Sequence, residues 1–201
     1  MSRGYSEDGL VQKTTIDYFK YNLHWNTAYA YNTEKLGVDG TFGRKNEREV
    51  VLVKYLKPVL QKLNPNLPEE AYYNAIDKIV ENNVSKSLID INKEKYEMFK
   101  KGVKVEYKNN KGQIEESTLQ MFDFETPTNN HFLAVREMWI QGSLYRRRAD
   151  IIGFVNGIPL LFIELKNVHK DVQNAYEQNF TDYKDTISEL FNHNAIVILS
   201  N

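Results

Sequence analysis

The chain has 201 residues, which is long enough to bury the core of one domain. Hydrophobic residues make up 41% of the sequence and charged residues 26%, a balance that excludes a chain disordered throughout. Because the formal net charge is only −1, we expect any contact with nucleic acid to come from a local patch and not from the charge of the whole domain.

The absence of cysteine excludes disulfides, thiolate zinc sites and a cysteine nucleophile. No apolar stretch approaches the roughly 20 residues of a membrane span, and residues 1–10 are too polar for a signal peptide. We therefore expect a cytoplasmic protein with no membrane partner. The apolar run at 195–199 indicates a buried strand that stops at once, so we expect the chain to be a fragment of a longer polypeptide.

The first half of the sequence predicts mainly helices, separated by one long loop. Apolar spacing and capping residues predict helices over 6–19, 47–63, 68–79 and 88–101, with Pro58 bending the second of them. Residues 26–45 are rich in Gly, Asn, Thr and Tyr and predict an irregular loop. The N-terminal part, about 1–101, is therefore expected to be mostly helical.

The second half predicts strands. Alternating patterns predict a hairpin over 103–122 and further strands at 131–140, 145–155, 159–165 and the C-terminal end. A helix over 171–190 would connect the last two strands, and such a crossover implies parallel pairing. We expect an α/β fold in which a mixed central sheet is flanked by helices, forming a single domain over 1–201 with its sheet-rich part at about 102–201.

Acidic residues stand on two neighbouring apolar runs of this sheet-rich part. Asp150 opens one run, Asn156-Gly157 supplies turn chemistry, and the next run ends in Glu164-Leu165-Lys166. Side chains alternate along a strand, so Glu164 and Lys166 share a face. The turn brings Asp150 and Glu164 close together, and two desolvated carboxylates repel each other unless a cation lies between them.

Hard oxygen ligands without cysteine or paired histidine favour Mg²⁺ or Mn²⁺ over zinc. Asp150 and Glu164 would be the carboxylate ligands, and the backbone carbonyl of Leu165 a third oxygen. Lys166 would neutralise developing negative charge or orient an attacking water during phosphodiester hydrolysis. The alternative is that Asp150, Glu164 and Lys166 only form ion pairs at the exposed end of a sheet.

Arg148-Ala149-Asp150 followed by Glu164-Leu165-Lys166 resembles the PD-(D/E)xK nuclease signature. The wider sequence resembles the N-terminal nuclease domain of the restriction (R) subunit of type I restriction-modification enzymes. This second resemblance covers nearly the whole chain and rests on the segments at 5–8, 43–45, 63–68, 154–160, 163–167 and 198–201. It implies a restriction-endonuclease-like fold and a catalytic, sheet-rich half.

The implied activity is that of a type I site-specific deoxyribonuclease, whose endonuclease domain cuts double-stranded DNA with Mg²⁺ and without its own sequence specificity. The parent protein would continue into an ATP-driven translocase and join methylation and specificity subunits. This sequence contains no phosphate-binding loop, so ATP is expected to bind only in the full-length protein. Two alternatives are a catalytically silent module that binds DNA or a subunit, and a stand-alone repair nuclease.

The sequence departs from the family pattern at two places. Ala149 stands where the signature has proline, a position that ligates nothing. The family commonly carries Gln-x-x-x-Tyr after the lysine, whereas four residues separate Gln178 from Tyr183 here. Residues five apart do not share an α-helical face as well as residues four apart, so a joint accessory role and a packing role for Tyr183 both remain open.

Three further residues are candidates for peripheral roles. Glu7 would approach the metal from the first helix, or it stabilises the helix N-terminus by its charge alone. Arg146 and Arg148 share one strand face and would bind DNA phosphates, or they are solvated surface residues. The histidines lack ligand spacing, and we assign none of them a catalytic role.

Overall fold

The computed structural model of the chain describes residues 7–83, 85–165, 176 and 180–200, with side chains from residue 11 onward. The α-helices are α1 (Glu7–Tyr21), α2 (Val53–Leu63), α3 (Glu69–Val80), α4 (Leu88–Lys101) and α5 (Thr181–Thr186), and short 3₁₀ turns lie at Pro127–Asn129 and Ser188–Phe191. The strands are β1 (Asn26–Tyr29), β2 (Val103–Lys108), β3 (Ile114–Leu119), β4 (Phe132–Gln141), β5 (Arg146–Val155), β6 (Ile158–Leu165) and β7 (Ile196–Ser200).

Five strands form the central sheet in the order β1-β4-β5-β6-β7. Strands β4, β5 and β6 are antiparallel neighbours, whereas β1 pairs with β4 and β7 pairs with β6 in parallel. The β2–β3 hairpin is a separate two-stranded sheet that packs against α3. The mixed α/β architecture and the helical N-terminal part are therefore confirmed. Among the described helices, none has the length and apolar character needed to cross a membrane.

The central sheet separates two hydrophobic clusters. The larger cluster contains buried residues of α2, α3 and the hairpin, together with Phe162 of β6. The smaller cluster contains Phe19 of α1, with Ile163 and Leu165 of β6. Successive β6 side chains thus enter opposite clusters, as expected from strand alternation. Helix α1 is held against the face that carries Ile163 and Leu165.

The turn between β5 and β6 explains why Asn156 and Gly157 stand together. Both have positive φ, 53° and 80°, which favours Asn and Gly in a two-residue hairpin turn. A Cβ atom on Gly157 would lie 2.3 Å from the carbonyl oxygen of Leu52. The Asn156 side chain is buried and accepts from His131 N at 2.7 Å while donating to Met121 O at 2.7 Å. This turn therefore ties the hairpin to two distant segments.

Three sequence expectations are corrected. Helix α2 begins at Val53 and not at residue 47, because the Leu52 N–H bonds the Gly157 carbonyl at 2.8 Å, outside any helix. The predicted loop at 26–45 contains strand β1, which pairs with β4. Strand β7 was expected to be buried, but it is an edge strand of the sheet with Ile196 57% exposed.

The predicted helix over 171–190 lies partly outside the described residues. The described part has π-helical backbone at Tyr176 and Phe180, followed by α5 and the 3₁₀ turn at Ser188–Phe191. The connection therefore changes helix type before it reaches β7. The parallel pairing of β6 with β7 that the crossover implied is confirmed.

Candidate active site

Asp150 and Glu164 stand next to the last pair of the β5–β6 ladder. That pair is Ile151–Ile163, and the two acids are the next residues on their strands. Glu164 is only 2% exposed. Both acids thus lie at the same end of the β5–β6 hairpin, and Glu164 is in surroundings that exclude much of the water.

Hydrogen bonds hold both oxygens of the Asp150 carboxylate. Oδ2 accepts from the backbone N–H of Leu165 at 2.8 Å, and Oδ1 accepts from the Gln12 amide nitrogen at 2.9 Å. Gln12 lies on α1 and is 6% exposed. Sequence reasoning missed Gln12, because nothing in a local pattern connects residues 138 positions apart. The first helix therefore does reach the site.

The oxygen donors here suit a hard divalent cation. Asp150 and Glu164 contribute carboxylates, but the described residues contain no group of three His, Cys, Asp or Glu side chains arranged to hold a metal. A further oxygen is available as a ligand, because Gln12 Oε1 is buried and has no hydrogen-bond partner. Mg²⁺ and Mn²⁺ accept amide, carbonyl and carboxylate oxygens, so this donor set fits them better than it fits zinc.

Tyr183 of α5 packs beside the acidic pair. It is 8% exposed, its hydroxyl donates to the Arg148 carbonyl at 3.2 Å, and its ring meets Phe162 edge-on at 5.7 Å. Burial raises the pKa of the Tyr183 hydroxyl, and the negative charges of Glu164 and Asp150 raise that pKa further. Of the predicted accessory pair, Tyr183 therefore lies at the site, in a packed and hydrogen-bonded position.

Lys166 and Gln178 lie outside the described residues, as does the side chain of Glu7. Their roles stay predictions.

Glu137 of β4 lies opposite Asp150 on the other side of β5. The flanking pairs Arg136–Ile151 and Met138–Ala149 have the same register. Between them, in these two fully described strands, Glu137 and Asp150 do not form a ladder pair. Glu137 has a φ of 53°, a left-handed conformation that is unusual for glutamate. This distortion is centred on the pair that contains a candidate ligand.

The distortion shifts the alternation of both strands. Ala134 and Ile151 belong to the smaller hydrophobic cluster, on the α1 side of the sheet. Regular alternation would place Met138 and Ala149 on that side too, but both belong to the larger cluster. One step of alternation is therefore skipped on each strand at the Glu137–Asp150 pair. Asp150 thus occupies an irregular position from which its carboxylate reaches the backbone of Leu165.

Each of the three consecutive arginines binds an acid. Arg146 pairs with Glu47, with its Nε 2.6 Å from the carboxylate, and its guanidinium lies 4.0 Å from the Trp139 ring centre. Arg148 pairs with Glu137 at 3.4 Å and lies 5.7 Å from the same ring. Arg146 and Arg148 thus share a face, as predicted. Their contact with DNA stays a prediction.

Arg147 points to the opposite side of β5. Its guanidinium makes two hydrogen bonds to Asp182 of α5, at 2.6 and 3.0 Å. The hydrogen bond from Arg147 lowers the pKa of the Asp182 carboxyl. Because Asp182 adjoins Tyr183, this ion pair fixes the start of α5 and, with it, the tyrosine beside the acids.

Comparison with known proteins places these residues in a wider context. A family described as "Type I restriction enzyme R protein N terminus" matches residues 4–201. The chain is 37% identical over 186 residues, 89% of its length, to the endonuclease subunit of the type I restriction enzyme HindI from Haemophilus influenzae. It is also 27% identical over 200 residues, 97% of its length, to a protein from Methanocaldococcus jannaschii. That protein is provisionally named as the endonuclease subunit of the type I restriction enzyme MjaIXP. The chain spans only 17% and 18% of these two relatives.

Proposed function

The chain belongs to the family of type I restriction enzyme R protein N termini, and from that membership we propose that it is the endonuclease domain of such a subunit. The reaction would be hydrolysis of phosphodiester bonds in double-stranded DNA. One observation carries the proposal: Asp150 and Glu164 follow the last pair of the β5–β6 ladder on their two strands, and the Asp150 carboxylate is held by hydrogen bonds at both oxygens, one of them from the residue after Glu164. This arrangement suits the PD-(D/E)xK type of nuclease site.

Asp150 and Glu164 would hold the metal, together with the Leu165 carbonyl. Mg²⁺ or Mn²⁺ bound there would supply charge relief for the phosphorane-like transition state and a more acidic water. The Leu165 N–H and the Gln12 amide orient the Asp150 carboxylate before any ligand arrives. Lys166, the residue after Leu165, would neutralise charge on the scissile phosphate or orient the attacking water.

The DNA-contacting surface would include Arg146 and Arg148. These two residues share one face of β5 and precede Asp150 on the same strand. Arginine forms bidentate hydrogen bonds with phosphate, and these contacts read the backbone and not the bases. Cleavage would therefore lack sequence preference of its own. Sequence choice would fall to specificity and methylation subunits in the assembled enzyme, and ATP would act through a motor region of the full-length protein.

The proposed activity is tested in the parent R subunit assembled with its partner subunits. We expect Asp150→Asn or Glu164→Gln to abolish cleavage of plasmid DNA while ATP hydrolysis continues at the unmodified rate. Glu116→Gln, an exposed substitution on the separate hairpin, is the matched control and should cut normally. Normal cleavage by either site variant would contradict the assignment.

A catalytically silent module that binds DNA or a subunit is the second candidate. It is favoured by the absence, among the described side chains, of three acids or histidines grouped for metal binding. In that case Asp150 and Glu164 would be structural and their substitution would leave plasmid cleavage unchanged. A stand-alone repair nuclease is disfavoured by family membership.

A further inference from the structure

Gln12 combines two features that are seldom found together in one side chain. It is 6% exposed, and its amide nitrogen donates to Asp150 Oδ1 at 2.9 Å. Its amide oxygen is also buried, yet it accepts no hydrogen bond from the protein. Leaving a buried acceptor unsatisfied costs on the order of 1–3 kcal/mol, so such an atom calls for an explanation.

The orientation of the amide follows from its neighbour. An ionised carboxylate only accepts hydrogen bonds, so the end of the Gln12 amide that faces Asp150 is the nitrogen. The oxygen at the other end is therefore the atom left without a partner. It is separated from the nitrogen by a single carbon, which places an additional oxygen donor at the edge of the candidate metal site.

Packing holds Gln12 at the site. The preceding residue, Val11, and Ile16 one turn further along pack against the smaller hydrophobic cluster, which includes Ile163 and Leu165 of β6. The helix that carries Gln12 is thereby anchored to the strand that carries Glu164. Rotation of the amide about its terminal torsion has broad, shallow preferences, so it requires no movement of the helix.

We propose that Gln12 is a switching ligand of the metal site. Without a cation, its amide nitrogen donates to Asp150 and compensates the carboxylate charge. With a cation, the amide rotates and its Oε1 becomes an oxygen ligand beside the two carboxylates. This inference rests on the proposed function, because it requires that Asp150 and Glu164 bind a divalent cation.

The competing explanation is that Gln12 only orients Asp150 through its N–H bond. The two explanations predict opposite effects of Gln12→Glu. A glutamate keeps an oxygen for the metal and adds a charge, but it loses the N–H donor and repels Asp150. If the oxygen binds the metal, Gln12→Glu preserves or increases affinity. If only the N–H bond matters, Gln12→Glu impairs the site as severely as removal of the whole amide.

The test is calorimetric titration of Mn²⁺ into the unmodified chain and the Gln12→Glu and Gln12→Met variants, all checked for folding by circular dichroism. We expect Gln12→Met to weaken binding by about 10-fold or more, and Gln12→Glu to bind at least as tightly as the unmodified chain. Gln61→Glu is the matched control, since the Gln61 amide also donates to a carboxylate, that of Glu69, at 2.7 Å. It should leave Mn²⁺ affinity unchanged.

Thermal unfolding gives an independent readout. Without Mn²⁺, the Gln12→Glu variant should unfold at a lower temperature than the unmodified chain because its carboxylate repels Asp150. Saturating Mn²⁺ should remove this difference in unfolding temperature. The inference is overturned if Gln12→Glu binds Mn²⁺ as weakly as Gln12→Met, or if Gln12→Met binds as tightly as the unmodified chain. Failure of the unmodified chain to bind Mn²⁺ would instead overturn the proposed metal site itself.

Discussion

Glu137 stands opposite Asp150 in the β4–β5 ladder and adopts a left-handed backbone conformation, with a φ of 53°. Strand residues rarely adopt this conformation, which costs an L-residue other than glycine about 1–2 kcal/mol. The strain is located where alternation is skipped on both strands. We interpret the kink as the feature that turns the Asp150 carboxylate toward the Leu165 N–H.

Replacement of Glu137 tests this strain. We expect Glu137→Gly to be more stable than Glu137→Ala by about 1 kcal/mol, because glycine adopts positive φ without a Cβ clash. Both variants lose the pair with Arg148, so that loss cancels in the comparison. The exposed Glu116 of β3 provides the control, where Ala should be the more stable replacement. Urea unfolding measures the unfolding free energy of all four variants. If Ala is the more stable replacement at both positions, Glu137 is not strained.

Tyr183 should give a distinctive pH dependence. Tyr183→Phe removes the hydrogen bond to the Arg148 carbonyl, and we expect it to cost about 1 kcal/mol at pH 8. Because burial raises the pKa of Tyr183, the folded protein keeps the hydroxyl protonated above pH 10, where the unfolded chain ionises. The stability that Tyr183 contributes is therefore present below pH 10 and is lost as the pH rises.

Urea unfolding at pH 8 and pH 11 measures this effect. The stability advantage of the unmodified chain over Tyr183→Phe should shrink by about 1.4 kcal/mol for each pH unit above 10. The other tyrosines are common to both proteins and cancel in the difference. A constant difference across this range would mean that Tyr183 ionises normally and is not enclosed beside the acids.

His193 predicts sensitivity to acid. It is buried, and its Nε2 lies 2.8 Å from the Ile79 carbonyl at the end of α3. The pKa of His193 is lowered to about 4, chiefly by burial; the hydrogen bond to the Ile79 carbonyl opposes this shift, and the charge of the nearby Lys95, which bonds the same carbonyl, adds to it. The folded state therefore binds fewer protons than the unfolded state between about pH 4 and 6.5. Stability is fully present above pH 6.5 and is lost as the pH falls.

The expected loss from His193 is roughly 3 kcal/mol between neutral pH and pH 4. Chemical unfolding of the unmodified chain and of His193→Gln across this range isolates the contribution, because the carboxylates titrate alike in both proteins. Glutamine retains a donor for the Ile79 carbonyl but cannot be protonated. Parallel stability profiles of the two proteins would contradict the account of His193 as a neutral buried base.

The Asn156 turn should tolerate very little change. Its amide nitrogen donates to the carbonyl of Met121 and to the side-chain oxygen of Asn130, so Asn156→Asp would set a carboxylate oxygen against two acceptors. We expect a loss of about 3 kcal/mol or more in unfolding free energy. Asn46→Asp is the control, because Asn46 is exposed and uses only its oxygen, which accepts from Arg48 N. Similar costs at both positions would show that the Asn156 bonds are unimportant.

The β5–β6 hairpin was predictable because its determinants are local. An Asn-Gly turn between two apolar runs starts the antiparallel pairing, but the register shifts between Gly153 and Phe154, so the turn alone does not set the Ile151–Ile163 pair that precedes the two acids. Alternation along β6 likewise accounts for the entry of Phe162 and Ile163 into different hydrophobic clusters. Short-range patterns thus specify the hairpin and the alternation of side chains along it, whereas the metal-binding role of Asp150 and Glu164 stays a prediction.

Gln12, Glu137 and strand β1 were missed because long-range pairing determines them. Gln12 belongs to a helix whose own pattern gives no sign of which strand it will meet. The left-handed φ of Glu137 is imposed by tertiary structure against the preference of glutamate. Strand β1 has only four residues and is stabilised by pairing with β4, so its sequence reads as a loop. Burial of β7 was overestimated because an apolar run does not reveal that its strand lies at a sheet edge.

The most direct test of the proposed metal site is calorimetric titration of Mn²⁺ into the unmodified chain, Asp150→Asn and Glu164→Gln, with Glu116→Gln as a control. Each variant is first shown to be folded by circular dichroism. We predict binding by the unmodified chain and the control, and loss of binding in both site variants. Absence of binding by the unmodified chain, with DNA present and with DNA absent, would contradict the account and leave Asp150 and Glu164 with structural roles.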